Sequence, residues 1–259
     1  MMDMPNKIAT DYITDKIVAD EIAEKNAIFN FLGNKSKGFF VEVGANEPDA
    51  PESQTWHLEQ RGWTGILVEP IPELAEKAKK IRSSSTVYQV ACTSKNNIGT
   101  LEFLIPFNGD ELVSGHASLR ANIDEHNYSK FKKLEVKAVT LDSILDAQNV
   151  KSIDLLSIDV EGAELEVLEG LDLKRFRPKL ILLEDKHLYL SKHHYLTSAN
   201  YKLVQRLNRN SWYIPVGIPG PEVSVWQKIK LFKRMYVSIW LRKFQYALRH
   251  KTMDSFRSL

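Results

Sequence analysis

Five short segments of this chain end an apolar run on residues that could do chemistry: Glu42-Val43-Gly44-Ala45-Asn46, Glu69-Pro70, Ala91-Cys92, Asp159-Val160-Glu161-Gly162 and Glu184-Asp185-Lys186-His187. Four of the five carry carboxylates. A carboxylate accepts hydrogen bonds from hydroxyl groups, a glycine lets a ligand approach the backbone, and a histidine among carboxylates can take up a proton near neutral pH. Glu69 follows Glu42 by 27 residues, where a carboxylate at the end of a second strand can accept from the hydroxyls of a ribose. Only Gly44 occurs in its loop, so the pattern G-x-G-x-x-G is absent, which counts against NAD or FAD. A structural reading competes: Gly44 closes a turn and the acids cap the helices that follow.

Asp159 and Glu161 flank Val160 and are the first candidates to face a ligand; the alternative is that Asp159 caps a helix and Glu161 holds backbone donors. His187, after the Glu184-Asp185 pair, is a candidate base whose basicity the carboxylates would raise. Glu161, Glu184 and Asp185 offer oxygen ligands for Mg²⁺, yet clustered acids at strand ends are ordinary in such a fold, and no metal is expected. His116, in the polar 106–131 stretch, is a weaker base candidate. His57 and the His193-His194 pair read as helix-surface residues, Asp142 as a helix-start carboxylate, and Cys92 as a small buried residue.

The elements that must position these residues follow from apolar patterning. Residues 11–32 form a rough helical face, broken by Gly33 and Gly38 before the strand Phe39 to Val43. Further strands are expected at 65–69, 86–91, 100–105, 134–139, 153–158 and 180–184, with helices at 51–61, 71–82 and around 164–168. Tyr201 to Leu207 and Ser211 to Pro215 flank Asn208-Arg209-Asn210, a hairpin signal. Strands apolar on both faces and alternating with helices predict an α/β fold with a mostly parallel sheet and an antiparallel edge. The 106–131 segment is the expected lid over an acceptor.

Composition bounds the partners. The chain has 259 residues, 43% of them hydrophobic, and a single cysteine, which excludes an internal disulfide or a cysteine zinc cluster. No signal sequence or membrane-spanning run is evident, and the expected setting is cytoplasmic, with peripheral contact to the inner face of a membrane. Residues 222–259 carry nine Lys or Arg against Glu222 and Asp254, a balance of +7, leaving −5 for residues 1–221. An acidic body argues against a nucleic-acid platform. Within the tail, Trp226, Ile229, Phe232, Tyr236, Ile239, Trp240 and Phe244 share one helical face bordered by cations. Two readings stay open: a helix in an anionic membrane interface, freed by Pro219-Gly220-Pro221, or a helix docked on its own domain or a second subunit. The division is then a lead-in at 1–37, a domain at 38–216 and the basic amphipathic tail at 222–259.

Three stretches, Phe40 to Asn46, Gly62 to Pro70 and Ile153 to Glu164, together with Thr140-Leu141-Asp142-Ser143-Ile144-Leu145, resemble the FkbM family of S-adenosylmethionine-dependent methyltransferases. The resemblance runs from about Phe39 to Pro215, and Ile158-Asp159-Val160-Glu161-Gly162-Ala163-Glu164 is its most distinctive part. It implies a Rossmann-like seven-stranded sheet with an antiparallel edge hairpin, and methyl transfer, most often to an oxygen of a sugar or polyketide-like acceptor; the favoured reading here is a small-molecule, glycan or lipid-linked acceptor. It also implies that Glu42, Gly44, Ala45 and Asn46 line the methionine side of the cofactor, Glu69 holds the ribose and Ala91 lies beside the adenine. Asp159, Glu161 and His187 are then the catalytic candidates. Many relatives carry a second glycine where this chain has Glu47-Pro48-Asp49-Ala50-Pro51, so Ser53 or Gln54 is expected to help at the carboxypropyl end. A noncatalytic binding module recruited by the tail is the alternative; a homo-oligomer is left open.

Overall fold

The computed structural model describes residues 4–119, 128, 130–184 and 190–250. In chain order the elements begin with α1 (Met4–Phe31), β1 (Phe39–Val43), α2 (Trp56–Glu59), β2 (Thr64–Val68), α3 (Pro72–Ile81) and β3 (Ser85–Tyr88). Next come β4 (Ala91–Cys92), β5 (Gly99–Asn108), β6 (Glu111–Leu112), β7 (Ser118–Leu119), β8 (Phe131–Val139) and α4 (Leu141–Ala147). The remainder is β9 (Leu155–Ile158), α5 (Glu164–Glu169), α6 (Leu173–Phe176), β10 (Leu180–Glu184), α7 (Ser191–Ser198), β11 (Tyr201–Leu207), β12 (Asn210–Pro215), α8 (Val225–Phe232) and α9 (Ile239–His250).

Seven strands form the main sheet in the order β11-β12-β10-β9-β1-β2-β3. All neighbours pair in parallel except β12, which runs antiparallel to both β10 and β11. This is the α/β sheet with an edge hairpin that the patterning predicts. Strand parity divides its core into two layers. Val41, Val43, Leu156, Ile158, Ile181 and Leu183 pack on one face with residues of α4 to α7. Phe40, Leu67, Leu155, Leu180, Leu182 and Trp212 pack on the other with Ile28 and Leu32 at the end of α1. Glu42 has the parity of Phe40, so it points to the α1 and α2 side.

The lead-in helix ends by local chemistry. Gly33 and Asn34 have φ of 79° and 51°. The Asn34 N–H reaches the Phe29 carbonyl and the Gly33 N–H the Asn30 carbonyl, both at 3.0 Å. This is a Schellman closure, which satisfies carbonyls the helix would otherwise leave open. Glu24, 1% exposed, then ties the helix to the hairpin by accepting from Asn208 Nδ2 (3.0 Å), Asn210 Nδ2 (3.1 Å) and Trp212 Nε1 (3.0 Å).

Three elements differ from expectation. The stretch 86–91 is split: β3 ends at Tyr88, and Ala91-Cys92 pairs instead with Ala138 and Val139 of β8 in a second sheet, β4-β8-β5-β6. The strand expected at 100–105 continues to Asn108, because β8 pairs with it from Gly99↔Ala138 to Pro106↔Phe131. The helix expected over 51–61 shrinks to Trp56–Glu59; before it, the Gln54 N–H is committed to the Glu42 carboxylate rather than to a helical carbonyl.

Candidate active site

Register places the chemistry. Val68, Val43, Ile158 and Leu183 form one row across the sheet, each paired with the next. The residues immediately beyond that row are Glu69, Gly44, Asp159 and Glu184. Four separate runs therefore deliver their polar ends to one line above the sheet, at the carboxyl ends where ligands bind in such folds.

Gly44 is required by its neighbour strand. Its φ is +86°, and a Cβ there would lie 1.8 Å from the Asp159 carbonyl oxygen. The Gly44 and Ala45 N–H groups both donate to the Val68 carbonyl, at 2.9 and 3.2 Å. The next turn residue, Asn46, also has positive φ (44°) and donates its N–H to Glu69 at 2.8 Å. The Ile71 N–H reaches the other Glu69 oxygen at 2.9 Å. Glu69 is 3% exposed, and burial pushes its carboxyl up to about 7 against the pull of those two N–H bonds. Each oxygen keeps a further acceptor site, since a carboxylate can accept about four hydrogen bonds.

These residues line a cleft of about 630 Å³, counted to its open mouth. Asn46, Glu69, Ser114, Asp159 and Glu161 supply polar groups, while Ile71, Val90, Ala91, Phe103, Leu119 and Val160 supply an apolar wall. Part of the 106–131 segment borders this cleft. Ser114 Oγ donates to Asn46 Oδ1 at 3.0 Å, and Ser118 Oγ donates to the Glu161 carbonyl at 2.8 Å, so residues 114–118 strap the cleft on both sides. Residues 120–127 and 129 of that segment lie outside the described residues.

A second, acidic cavity opens from the same line. Gly44, Asn46, Gly115, Asp159 and Glu161 border both spaces, and Glu42, Glu52 and Glu184 face only the second. Asp159 is open to the water of the clefts. Crowding by surrounding protein, a hydrogen bond with Glu184, and the charges of Glu184, Glu161 and Glu164 hold its carboxyl well above the usual carboxylate range. Glu161 (φ 49°) and Gly162 (φ 112°) make the turn that follows. Glu164 anchors that turn, accepting from the Gly162 N–H at 2.8 Å and from Lys192 Nζ at 2.9 Å.

The remaining sequence candidates are distributed as follows. Glu42 is 5% exposed and accepts from Ser53 Oγ (3.3 Å), Gln54 N–H (3.1 Å) and Thr55 Oγ1 (2.5 Å). Behind it lies Arg82, wholly buried, 3.7 Å from Glu42 and 2.6 Å from Glu59. Nothing in the sequence marks Arg82, which reads as an ordinary basic residue at a helix C-terminus. His187 and Asp185 lie outside the described residues. Among the described residues no group of three or more His, Cys, Asp or Glu is placed to hold a metal ion. Asp142 sits in the first turn of α4 and accepts from the Asp172 N–H at 2.7 Å. Cys92 is buried, which pushes its thiol up to about 12. His116 is exposed and bonded to Tyr128.

Two histidines expected on helix surfaces are buried instead. His57 is 8% exposed, and burial, with the nearby Lys25 and Arg61 charges, holds its pKa down at about 3. His193 is equally buried, between Tyr213 (3.2 Å) and Tyr236 (2.9 Å). Their partners come from α1, from β12 and from the tail, which a local reading of one helix cannot supply.

The sequence model of the methyltransferase FkbM domain matches residues 42–204. The chain belongs to that family. An FkbM methyltransferase from Methylobacillus flagellatus KT superposes with a TM-score of 0.44 at 14% identity, over 69% of this chain and 44% of that one. This FkbM chain thus spans less than half the length of that protein. Precorrin-6y C5,15-methyltransferase from Geobacter metallireducens GS-15 gives a TM-score of 0.40 at 10% identity, covering 73% and 85% of the two chains. The N-terminal domain of human METTL16, in complex with SAH, gives 0.37 at 13% identity, covering 75% and 68%. No curated protein sequence matches the chain. The matched segment contains the whole row of strand ends from Gly44 to Glu184, while α1 before it and the tail after it lie outside the matched residues.

Proposed function

We propose that the protein transfers a methyl group from S-adenosylmethionine to a hydroxyl oxygen of a glycan or lipid-linked acceptor. One observation carries the reading: within an FkbM domain, the Glu69 carboxylate, the Asn46 turn and the Asp159 turn border a single half-apolar cleft. The residues fit the cofactor. Glu69 has acceptor sites left for two ribose hydroxyls, and Ala91, Ile71 and Phe103 offer an apolar wall for a purine. Its raised pKa marks a buried carboxylate that has no cationic partner among the described residues, and hydroxyl donors or a positive ligand would stabilise it as the anion. When bound, the cofactor supplies an electrophilic methyl group on a sulfonium.

The chain's own residues then do the rest. Gly44, Ala45 and Asn46 shape the turn beside the methionine end, and Ser114 and Ser118 hold the strap across the cleft. Asp159, Glu161 and Glu184 surround the opening between the two cavities, where an acceptor hydroxyl would be oriented by carboxylate acceptors. When the methyl carbon leaves sulfur for the acceptor oxygen, the hydroxyl proton would pass to a carboxylate of this group, and Asp159, which like Glu161 borders both spaces, is the proposed acceptor. His187 is proposed as an alternative proton acceptor. No step requires Mg²⁺.

The exposed apolar face of the tail favours a second reading, a noncatalytic module held at a membrane or partner. Labelled S-adenosylmethionine added to cell extracts with and without the protein decides between them. Label appearing in a glycan or lipid fraction supports the enzyme; cofactor binding without transfer to any fraction supports the module.

A further inference from the structure

The tail is neither free nor fully packed. Ser224 opens α8 with a capping box, its hydroxyl accepting from the Gln227 N–H (3.2 Å) while Gln227 Oε1 accepts from the Ser224 N–H (2.8 Å). A single π-helical turn, Lys233–Val237, joins α8 to α9. Met235, Ile239, Lys243 and Ala247, at 2%, 5%, 2% and 8% exposure, form a buried stripe at four-residue spacing, and Met235 borders one hollow with His193 and Leu203 of the domain. Tyr236 is fixed by its hydroxyl to His193 of α7, 2.9 Å away, and α8 lies against the edge strand β11.

The opposite face is exposed among the described residues. Trp226 is 77% exposed, Phe232 61%, Trp240 50%, Leu241 58%, Phe244 53% and Leu248 64%. Soluble surfaces seldom carry so continuous an apolar stripe without a partner. Lys228, Lys230, Lys233 and Arg234 are exposed along α8 and the π turn. Charge selects among occupants: residues 222–259 carry +7, so a second copy laid face to face would set +7 against +7. Tryptophan favours the zone where an apolar layer meets a polar one, and lysine side chains reach from an apolar surface to anionic headgroups. Among the described residues no helix is long and apolar enough to cross a membrane.

We propose that this face lies in the headgroup layer of an anionic lipid bilayer while the buried stripe stays docked, so that the domain is held against the membrane in one orientation rather than on a tether. The inference deepens the membrane reading of the tail and stands whether or not methyl transfer is the activity.

Flotation of the full chain with vesicles of phosphatidylcholine alone, or of equal parts phosphatidylcholine and phosphatidylglycerol, tests it. Binding is expected only to the anionic vesicles, and should weaken with salt. The triple variant Lys228→Gln, Lys230→Gln, Lys233→Gln should bind about a hundredfold more weakly, each lysine near an anionic surface being worth about fivefold. The variant Trp226→Ser, Trp240→Ser, Phe244→Ser should lose flotation while its melting temperature and cofactor affinity match the parent. Docking is read separately: a thiol reagent should label Phe244→Cys, with protection on anionic vesicles, and should leave Met235→Cys unlabelled with or without them. Indifference to both vesicles overturns the proposal, all the more if the protein sediments as a dimer that the aromatic substitutions dissociate. Labelling of Met235→Cys on vesicles would show the tail released, and the fixed platform would be wrong.

Discussion

The Asn46 backbone N–H and the Glu69 carboxylate are joined at 2.8 Å, which ties the turn after β1 to the end of β2 across the floor of the cleft. One contact thus holds two of the expected cofactor residues together, and its strength depends on the charge of a buried acid. Removing that acid should therefore disturb both turn geometry and ligand binding.

Glu69→Ala is expected to weaken S-adenosylmethionine binding by about 1.5–3 kcal/mol, the value of hydrogen bonds to a charged acceptor. Calorimetry measures it, and unchanged affinity would remove Glu69 from the ribose site.

The pH dependence has a defined sign. Glu69 and Glu24 are both raised from 4.5 to about 7 in the folded chain. An acid with a raised folded pKa favours the native state while protonated, so stability without ligand should fall as pH rises from about 4.5 through about 7. Cofactor affinity should move the other way across the same interval, because the ionised Glu69 is the better acceptor. Urea titrations and calorimetry at several pH values check both; parallel trends would contradict the assignment.

Gly44→Ala forces a left-handed backbone on alanine, costing about 1–2 kcal/mol, and meets the Asp159 carbonyl besides. Both the melting temperature and cofactor affinity should drop. A fully stable variant that binds normally would mean that the two turns can separate freely.

Asp159→Asn should lower turnover far more than cofactor affinity, since a proton acceptor acts in the transition state. Asp159 is held above the usual carboxylate range, so the parent rate should rise with pH as it ionises, and the variant should lack that limb. A pH–rate profile of the variant matching the parent would assign the proton transfer elsewhere, with His187 next to be replaced.

Glu24→Ala leaves Asn208, Asn210 and Trp212 without their shared acceptor. Stability is expected to fall by about 1–3 kcal/mol, the cost of stranding buried donors. Equilibrium unfolding measures it, and a neutral result would show that α1 is dispensable to the hairpin.

The row of strand ends was legible in the sequence because it is local: apolar runs at Phe39, Gly65, Ile153 and Leu180 stop at an acid or glycine, and a parallel sheet brings such stops together. The family motifs lie on those same stops, and the edge hairpin announced itself through Asn208-Arg209-Asn210. Tertiary structure alone decided which way each acid faces. Strand parity turns Glu42 toward Arg82 and Thr55, whereas Glu69, just beyond its strand, meets the Asn46 and Ile71 N–H groups. It also decided burial: His57 and His193 sit on helices whose own patterns leave them at the surface, and partners distant in sequence, Lys25 of α1 for the one and Tyr213 and Tyr236 for the other, lie against them. The apolar stripe of the tail was readable from its spacing, but that Met235 and Ile239 are buried while Trp226 and Phe244 stay exposed depends on contacts far away along the chain. Local pattern sets what a segment can bury; the rest of the fold decides which side of it is covered.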